Sequence, residues 1–309
     1  MKQPETDHGK TQGTKTQEIK TQETQTQEII AFQGAPGAYS EMAILSLFPN
    51  AETRPCHTFA DAFDTLRDDK DVTRAFIPVD NSIAGRVADV HHLLPQYNLH
   101  IVGETFLPIH HCLLVAPQSG ATIKTIKTVH SHLHALPQCR QFIRDHGWRE
   151  VVEPDTAGAA KLVAEMADPG RAAIASKLAG ERYDLEVLAE EIQDHDHNTT
   201  RFLILANQDN VPPYQEETTD KIITSLIFTV RHTPAALYKA LGGFATTGLN
   251  LLKLESYMAP DDFRSARFYC EIAGHRDDPM FETALEELGF YAREIKWLGT
   301  YPAAKTRPQ

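Results

Sequence analysis

Residues 29–48 read IIAFQGAPGAYSEMAILSLF, and this stretch contains the pattern that decides the fold. The apolar run Ile29–Phe32 predicts a buried strand, and the glycines and proline of residues 34–37 predict a turn. Ser40 is a typical helix N-cap residue, and apolar residues follow it at helical spacing: Ala43, Ile44, Leu47 and Phe48. The stretch therefore predicts a strand, a turn and a helix in succession.

The same unit recurs along the first two thirds of the chain. Further strands are predicted from apolar runs at residues 75–79, 112–115, 126–129 and 172–175. A helix is predicted from Ile83 onwards, because apolar residues follow at helical spacing: Val87, Val90 and Leu94. This alternation predicts an open α/β architecture with parallel strands and right-handed crossovers.

Small hydroxyl and amide residues stand in the turns between these strands and helices. They are Ser40, Asn81, Ser82, Ser131, Thr156 and Ser176. In open α/β sheets, ligands bind beyond the carboxyl ends of strands, where helix N-termini present free N–H groups. Each of these residues alone could be an N-cap only, but together they predict a polar cleft that holds carboxylates.

A second pattern follows a polar, proline-bearing segment at residues 207–220. Within residues 221–304 the apolar periodicity predicts a strand, a helix, two strands, a helix and a last strand, the β-α-β-β-α-β order of the ferredoxin-like fold. The chain is therefore predicted to contain a tail at residues 1–28, an α/β domain at 29–206, a linker at 207–220 and a second domain at 221–304.

The composition excludes several classes of function. The chain has 309 residues and a formal net charge of −12, which argues against a nucleic-acid partner because phosphate binding needs clustered Lys and Arg. Residues 1–28 have almost no apolar side chains, so we expect a disordered tail that is not a secretory signal. No apolar run reaches the length of a transmembrane helix. We expect a cytoplasmic protein without a membrane partner.

Five short motifs, in order along the chain, resemble those of prephenate dehydratases. They are Gly34–Glu41 (GAPGAYSE), Val79–Gly85 (VDNSIAG), Val129–Cys139 (VHSHLHALPQC), Asp155–Ala157 (DTA) and Asn198–Phe202 (NTTRF). Asp80 replaces the usual Glu of the second motif. Residues 221–304 resemble the ACT domain, a small regulatory module that often binds amino acids. The two resemblances together cover nearly everything from Ile29 to Pro302.

The resemblance implies a bilobal catalytic domain similar to type II periplasmic binding proteins, with the active site between the lobes. It implies a reaction in which prephenate loses carbon dioxide and its ring hydroxyl to give phenylpyruvate, with no cofactor and no metal. Thr200 is the hydroxyl that the family requires near the leaving group, whereas Arg201 either pairs with a substrate carboxylate or braces the lobes. The expected cleft lining is polar: Ser40, Asn81, Ser82, Ser131, Gln138 and Thr156.

In this family the ACT domain senses L-phenylalanine at a dimer interface, through a PGAL motif and an ESRP motif. The corresponding residues here are Pro234–Leu237 (PAAL) and Glu255–Met258 (ESYM), so Ala replaces the Gly and Tyr-Met replaces Arg-Pro. The expected effector residues are Ala235, Leu237, Asn250, Leu251, Glu255 and Ser256. L-phenylalanine is the expected effector of a homodimer or homotetramer; another aromatic amino acid, or a purely dimerising role, stays open.

Other readings of the sequence also stay open. Arogenate dehydratase performs the same chemistry on a substrate that carries an amino group in place of the ketone. A non-catalytic small-molecule-binding protein could share the lobed α/β plan. Alternating His130, His132 and His134 could suggest zinc, but the resemblance puts Ser131 in a turn, where alternation does not create a common face, and no metal is expected. No segment resembling a chorismate mutase precedes the first domain, so a monofunctional enzyme is expected.

Overall fold

The structure of the protein is a computed structural model that describes residues 28–216, 222–259 and 262–307. Residues 28–216 form two α/β lobes. The first lobe contains β1 (Ile29–Gln33), α1 (Tyr39–Leu47), β2 (Glu52–Cys56), α2 (Phe59–Asp68), β3 (Val72–Asn81), β4 (Gly85–Arg86), α3 (Ala88–Leu93) and β5 (His100–Pro108). The second lobe contains β6 (Cys112–Val115), β7 (Thr128–His132), α4 (Arg140–His146), β8 (Arg149–Glu153), α5 (Thr156–Met166), β9 (Arg171–Ala175), α6 (Lys177–Arg182) and β10 (Glu186–Ala189), after which β11 (Thr199–Ala206) returns to the first lobe.

The sheet of the first lobe has the strand order β2-β1-β3-β11-β5. Its central strands are buried on both faces, because Ala75 and Ile77 pack in one apolar cluster while Phe76, between them, packs in another. Strand β1 is parallel to β2 and β3, but β11 is antiparallel to β3 and β5. The predicted α/β class is confirmed. Strand β11 was not among the strands predicted from the sequence, and it is antiparallel because it arrives from the second lobe rather than through a helical crossover.

The sheet of the second lobe has the order β10-β6-β9-β7-β8. Strand β7 is parallel to β8 and β9, whereas β6 is antiparallel to β9 and β10. The prediction of parallel strands is therefore wrong for the apolar run at residues 112–115, which forms β6. Small side chains in β9 allow α5 to pack closely, because Ala173 and Ala175 share an apolar cluster with Ala157 and Ala160. The two sheets give the bilobal architecture of type II periplasmic binding proteins.

The two lobes meet at Gly37, in the turn after β1. A Cβ at Gly37 would lie 2.5 Å from the Cα atom of Ala179, and the φ angle of Gly37 is +90°. Only glycine fits this approach and this backbone conformation. Ser176 donates a hydrogen bond of 2.5 Å from its hydroxyl to the Gly37 carbonyl, and Arg182 pairs with the buried Glu41 at 2.6 Å. The turn therefore joins the lobes as well as ending β1.

Two helices differ from the sequence prediction. Helix α1 begins at Tyr39 with Ala38 as its N-cap, so Ser40 lies inside the helix, and Leu47 is exposed rather than part of the buried face. The helix predicted from Ile83 begins only at Ala88, because the chain first reverses into the short strand β4, which pairs with β3. Apolar spacing alone could not reveal this hairpin.

The third unit is an antiparallel sheet covered on one face by helices. It contains β12 (Ile222–Val230), α7 (Ala236–Ala240), α8 (Gly242–Thr247), β13 (Leu251–Ala259), β14 (Asp262–Ala273), α9 (Pro279–Tyr291) and β15 (Ala292–Pro302). The strand order is β13-β14-β12-β15. The predicted β-α-β-β-α-β order of an ACT-like region is confirmed, although the first helix is divided into α7 and α8.

Two predicted segments fall wholly or partly outside the described residues. Of the tail predicted at residues 1–28 only Glu28 is described, and residues 217–221 of the predicted linker and domain start are not described. The boundaries between the predicted domains therefore stay predictions. Within the described ranges, no helix has the length and hydropathy needed to cross a membrane.

The ACT-like sheet packs against helix α3 of the first lobe through buried aromatic rings. His91 in α3 is 2% exposed, and its ring centroid lies 5.2 Å from that of Tyr269 and 6.3 Å from that of Tyr257. Among the described residues, neither ring nitrogen of His91 has a hydrogen-bond partner. Burial, followed by the charge of Lys253, lowers the pKa of His91 to about 4.

We expect His91→Phe to remove a pH dependence of stability. The pKa of His91 is depressed in the folded state, so its contribution is fully present above the unfolded pKa, about 6.5, and is lost as the pH falls towards the folded pKa, about 4. Between pH 7 and pH 4, the free energy of unfolding of the wild type, measured with urea, should therefore fall by up to roughly 3 kcal/mol more than that of the variant. His195→Gln, at an exposed histidine, is the control. Equal slopes of the free energy of unfolding against pH for the wild type and His91→Phe would contradict this prediction.

Candidate active site

A cavity of about 540 Å³ lies between the two lobes. From the first lobe and the returning β11 it is lined by Gln33, Tyr39, Phe59, Pro78, Asn81, Ala84, Gly85, Arg86, Val87, Ala88, Asp89 and Thr200; from the second lobe and its connection it is lined by Ile109, His111, His132, His134, Ala135, Gln138, Pro154, Asp155 and Thr156. Four of the predicted site residues share this cavity: Asn81, Gln138, Thr156 and Thr200.

Asn81 fixes the orientation of the Thr200 hydroxyl. The Oδ1 atom of Asn81 accepts hydrogen bonds from the backbone N–H groups of Ile83 (3.0 Å) and Ala84 (2.7 Å). Its Nδ2 atom is therefore the donor to Thr200 Oγ1 at 2.9 Å and to Asn198 Oδ1 at 2.8 Å. Because the Thr200 oxygen accepts from Asn81, its own proton is free to point into the cavity.

A chain of hydrogen bonds continues from Asn198 into the second lobe. Asn198 donates from Nδ2 to Gln138 Oε1 at 2.6 Å, and His111 Nε2 lies 2.8 Å from the same oxygen. Burial lowers the pKa of His111, so the ring is neutral and Nε2 carries the proton that this acceptor needs. His111 Nδ1 is then the acceptor for the Tyr39 hydroxyl, at 2.6 Å. The network connects both lobes and fixes each donor and acceptor in turn.

The opposite wall of the cavity is formed by the start of α5 and the end of β7. Asp155 caps α5 by accepting from the Gly158 N–H at 2.7 Å, and Thr156 is the first helical residue. The rings of His132 and His134 lie 5.1 Å apart at the cavity. Burial, and then the neighbouring His134, lowers the pKa of His132. A helix start and two imidazoles therefore face the Thr200 side.

Three other predicted cleft residues do not line the cavity. The Ser131 hydroxyl lies inside strand β7, where it is fully buried and donates to the Ile174 carbonyl at 2.5 Å. The Ser82 hydroxyl donates to the His197 carbonyl and accepts from the Thr199 N–H, each at 2.9 Å. Ser40 is buried in α1 one position after Tyr39, which takes its place in the cavity. Each serine is one residue away from a position that faces the cleft.

The histidines divide between the cavity and structural positions, and the cysteines are structural. His130 contacts Glu153 at 2.8 Å, whereas His132 and His134 line the cavity. Over residues 28–216, 222–259 and 262–307, no group of three or more His, Cys, Asp or Glu side chains could hold a metal ion. All four cysteines are buried and free, and burial raises the pKa of Cys112 to about 11. Their thiols are therefore poor nucleophiles.

Comparison with known proteins agrees with this geometry. The family model for prephenate dehydratase matches residues 30–210. A Komagataeibacter europaeus protein named bifunctional N-acyl-homoserine lactone acylase/prephenate dehydratase is 43% identical over 280 residues, which are 90% of this chain and 97% of that protein. The chain belongs to the prephenate dehydratase family.

Two further proteins are similar to this chain over most of its length. Arogenate dehydratase/prephenate dehydratase 1 of Arabidopsis thaliana is 39% identical over 293 residues, covering 88% of this chain and 71% of that protein. The crystal structure of an Arthrobacter aurescens prephenate dehydratase in complex with L-Phe superposes with a TM-score of 0.82 at 27% identity, over 91% of this chain and 92% of that one. The match to that structure extends through the ACT-like region.

Arg201 does not line the cavity, although it follows Thr200 directly. Its guanidinium contacts Glu104 of β5 at 2.6 Å and Glu271 of β14 at 2.6 Å. Arg307, after β15, pairs with the same two carboxylates at 2.8 and 3.1 Å. The structure therefore corrects the expectation that Arg201 pairs with a substrate carboxylate or braces the two lobes. Arg201 braces the first lobe against the ACT-like sheet, because successive β11 residues point to opposite faces.

The predicted effector residues do not form one group within a single chain. Ala235 and Leu237 follow the end of β12, whereas Asn250 and Leu251 lie beside its beginning, because Leu251 pairs with Ile272 of β14 and that end of β14 pairs with the start of β12. The two pairs are separated by the length of β12, about 25–30 Å. Glu255 and Ser256, in β13, contact Arg86 of the first lobe instead.

Ala235 has a left-handed backbone, with a φ angle of 57°, at the start of α7. The glycine of the family motif is therefore explained here by backbone conformation rather than by close approach alone. We expect Ala235→Gly to raise the free energy of unfolding by about 0.5–1 kcal/mol, measured by thermal and urea unfolding. Ala245→Gly, at an exposed residue within α8, is the matched control and should lower it by about 1 kcal/mol. Destabilisation by both substitutions would contradict this explanation.

The sequence did not single out several residues that complete the site. Tyr39 and Asn198 stand inside two of the recognised motifs. Their place in these motifs was the only sequence feature that could have indicated a role in the site. His111, directly before β6, bonds Gln138 and Tyr39 through its ring. Arg86 belongs to none of the five motifs, so no sequence feature indicated that it lines the site.

Proposed function

We propose that this chain catalyses the decarboxylating dehydration of prephenate to phenylpyruvate, a step towards L-phenylalanine. The observation that carries the proposal is the Thr200 hydroxyl, which faces the inter-lobe cavity and accepts from Asn81 at 2.9 Å. The Thr200 oxygen accepts from Asn81 and keeps its own proton, which it can donate to a ligand in the cavity. It is therefore suited to bind the oxygen that leaves the substrate ring.

The chemistry needs one oriented donor rather than a strong acid. The bond between the ring and its carboxylate breaks to release carbon dioxide, its electron pair enters the ring, and the C4–O bond breaks to release hydroxide, which takes a proton from solvent and becomes water. Aromatisation drives both bond cleavages. Thr200 stabilises the charge that develops on the leaving oxygen, and the walls of the two lobes reduce access of water to the cationic character of the ring.

The test is an assay of the purified chain with prephenate, with phenylpyruvate measured by its absorbance in alkali. Non-enzymatic conversion is subtracted with a heat-denatured sample. Saturable formation of phenylpyruvate is the expected result. A rate equal to that of the denatured sample, for a chain whose circular dichroism shows a folded protein, would rule out the proposed activity.

Arogenate is the second candidate substrate, because the Arabidopsis relative is named for both substrates and is 39% identical. Arogenate carries an ammonium group in place of the keto oxygen and undergoes the same cleavages, so the same Thr200 hydroxyl serves both. Comparison of kcat/KM for the two compounds assigns the preference. We expect prephenate to be preferred, and a larger kcat/KM for arogenate would reverse the assignment.

We further propose that L-phenylalanine inhibits the enzyme through the ACT-like regions of two chains. The A. aurescens relative was crystallised with L-Phe. In this chain, Ala235 lies near one end of β12 and Asn250 near the other, so a second copy is needed to complete a site from these residues. Calorimetry with L-phenylalanine, together with light scattering, tests both statements. Absence of binding at millimolar ligand, or a monomer at the assay concentration, would contradict them.

A further inference from the structure

Arg86 is a cation at the mouth of the active-site cavity. It lies in strand β4, lines the cavity, and has a side chain that is 40% exposed. Among the lining residues found within the described part of the chain, it is the only Lys or Arg, while Asp89 and Asp155 contribute carboxylates. A substrate with two carboxylates therefore meets one permanent positive charge on entering the cavity.

The contact that holds Arg86 comes from the ACT-like sheet. Its Nη1 atom donates to Glu255 Oε2 at 3.4 Å and to the Ser256 carbonyl at 3.2 Å, both in β13. These distances exceed the 2.7–2.9 Å range of strong charge-assisted hydrogen bonds. Glu255 is also shared with Lys253, at 3.8 Å. The pairing is therefore weak and open to exchange with another carboxylate.

A guanidinium has five N–H donors in a planar fork that matches a carboxylate in bidentate geometry. Only Nη1 of Arg86 donates to a partner among the described residues. The remaining donors are available to a ligand without loss of a buried bond.

We propose that Arg86 binds a carboxylate of the substrate, and that Glu255 of β13 holds it in a resting pair that the substrate must displace. This proposal rests on the proposed dehydratase function and adds a substrate-binding residue and a competing partner to it. The ACT-like sheet thereby contacts the substrate-binding machinery directly, through a residue of the first lobe.

The first experiment is steady-state kinetics of Arg86→Gln and Arg86→Lys with prephenate. Loss of a charge-assisted bond made equally to substrate and transition state raises KM and leaves kcat nearly unchanged. We expect KM to rise about 10- to 100-fold for Arg86→Gln, with a smaller increase for Arg86→Lys, which keeps the charge but not the fork. Arg149→Gln, at an exposed arginine of β8, is the matched control and should equal the wild type.

The second experiment tests Glu255 as the competitor. Glu255→Gln removes the carboxylate that competes with the substrate for Arg86. The KM for prephenate should therefore fall several-fold in the wild-type background and stay unchanged in the Arg86→Gln background. An unchanged KM in Arg86→Gln, or an effect of Glu255→Gln that is equal in both backgrounds, would overturn the proposal while the dehydratase function stands. A wild-type chain that converts neither prephenate nor arogenate would overturn both.

Discussion

Replacement of Thr200 by alanine is expected to lower kcat for prephenate about 100- to 1,000-fold while KM changes less than about threefold. The substitution removes the donor aimed at the leaving oxygen, whose charge develops only in the transition state. The same hydrogen bond to the neutral hydroxyl of the bound substrate is weaker, so its loss affects kcat more than KM. Stopped assays of phenylpyruvate formation over a range of prephenate concentrations measure both constants.

Two variants separate the hydroxyl from its neighbours. Thr200→Ser keeps the hydroxyl and should retain most of the activity. Thr199→Ala is the matched control, because Thr199 and Thr200 point to opposite faces of β11 and only Thr200 lines the cavity. Near-wild-type kcat in Thr200→Ala, or an equal loss in Thr199→Ala, would remove Thr200 from the mechanism.

Asn81 offers a sharper test of how Thr200 is oriented. In Asn81→Asp the side chain still accepts from the Ile83 and Ala84 N–H groups, but it can no longer donate to Thr200 or Asn198. The Thr200 proton is then drawn towards the new carboxylate and away from the substrate. Asn81→Asp should therefore lose as much kcat as Thr200→Ala, and the double variant should lose little more than either single one.

The motifs predicted the location of the site better than its lining. Thr200, Asn81, Gln138 and Thr156 stand in recognised motifs and reach the cavity, although not every predicted residue of those motifs reaches it. Ser131 does not, because apolar periodicity could not determine where strand β7 ends, and an error of one residue places a side chain on the other face. Local patterns define elements, but the direction of a side chain at an element end depends on the exact boundary.

The contacts of Arg201 and Arg86 could not be predicted from local sequence at all. Arg201 pairs with Glu271, which is 70 residues away in the chain, and Arg86 pairs with Glu255, which is 169 residues away. Such pairs depend on how the ACT-like sheet packs against the first lobe. The order of elements within each unit is a local property, whereas this packing is decided by surfaces such as α3 against Tyr257 and Tyr269.

Arg201→Met is expected to lower the free energy of unfolding by about 3–5 kcal/mol. Arg201 and Arg307 together balance Glu104 and Glu271, whose side chains are fully buried. Loss of Arg201 leaves one of these carboxylates without a compensating charge. Arg67→Met is the control, because Arg67 pairs with Asp64 and Asp68 at the surface and should change stability by less than about 1 kcal/mol. Urea unfolding measures both, and equal effects would contradict the assigned role of the cluster.

The pH dependence of this loss identifies its cause as charge rather than packing. Burial alone would raise the pKa of Glu271, but Arg201, Tyr269 and Arg307 together hold it below its ordinary value. The carboxylate therefore stabilises the wild type above its unfolded pKa, about 4.3, and this contribution is lost as the pH falls through the lower folded pKa. Without Arg201, burial dominates and protonation relieves the unpaired charge. The difference in free energy of unfolding between wild type and Arg201→Met should consequently narrow from pH 7 to pH 4. Adding Glu271→Gln to Arg201→Met should recover part of this difference at pH 7. A difference that is constant with pH would show that lost packing is responsible.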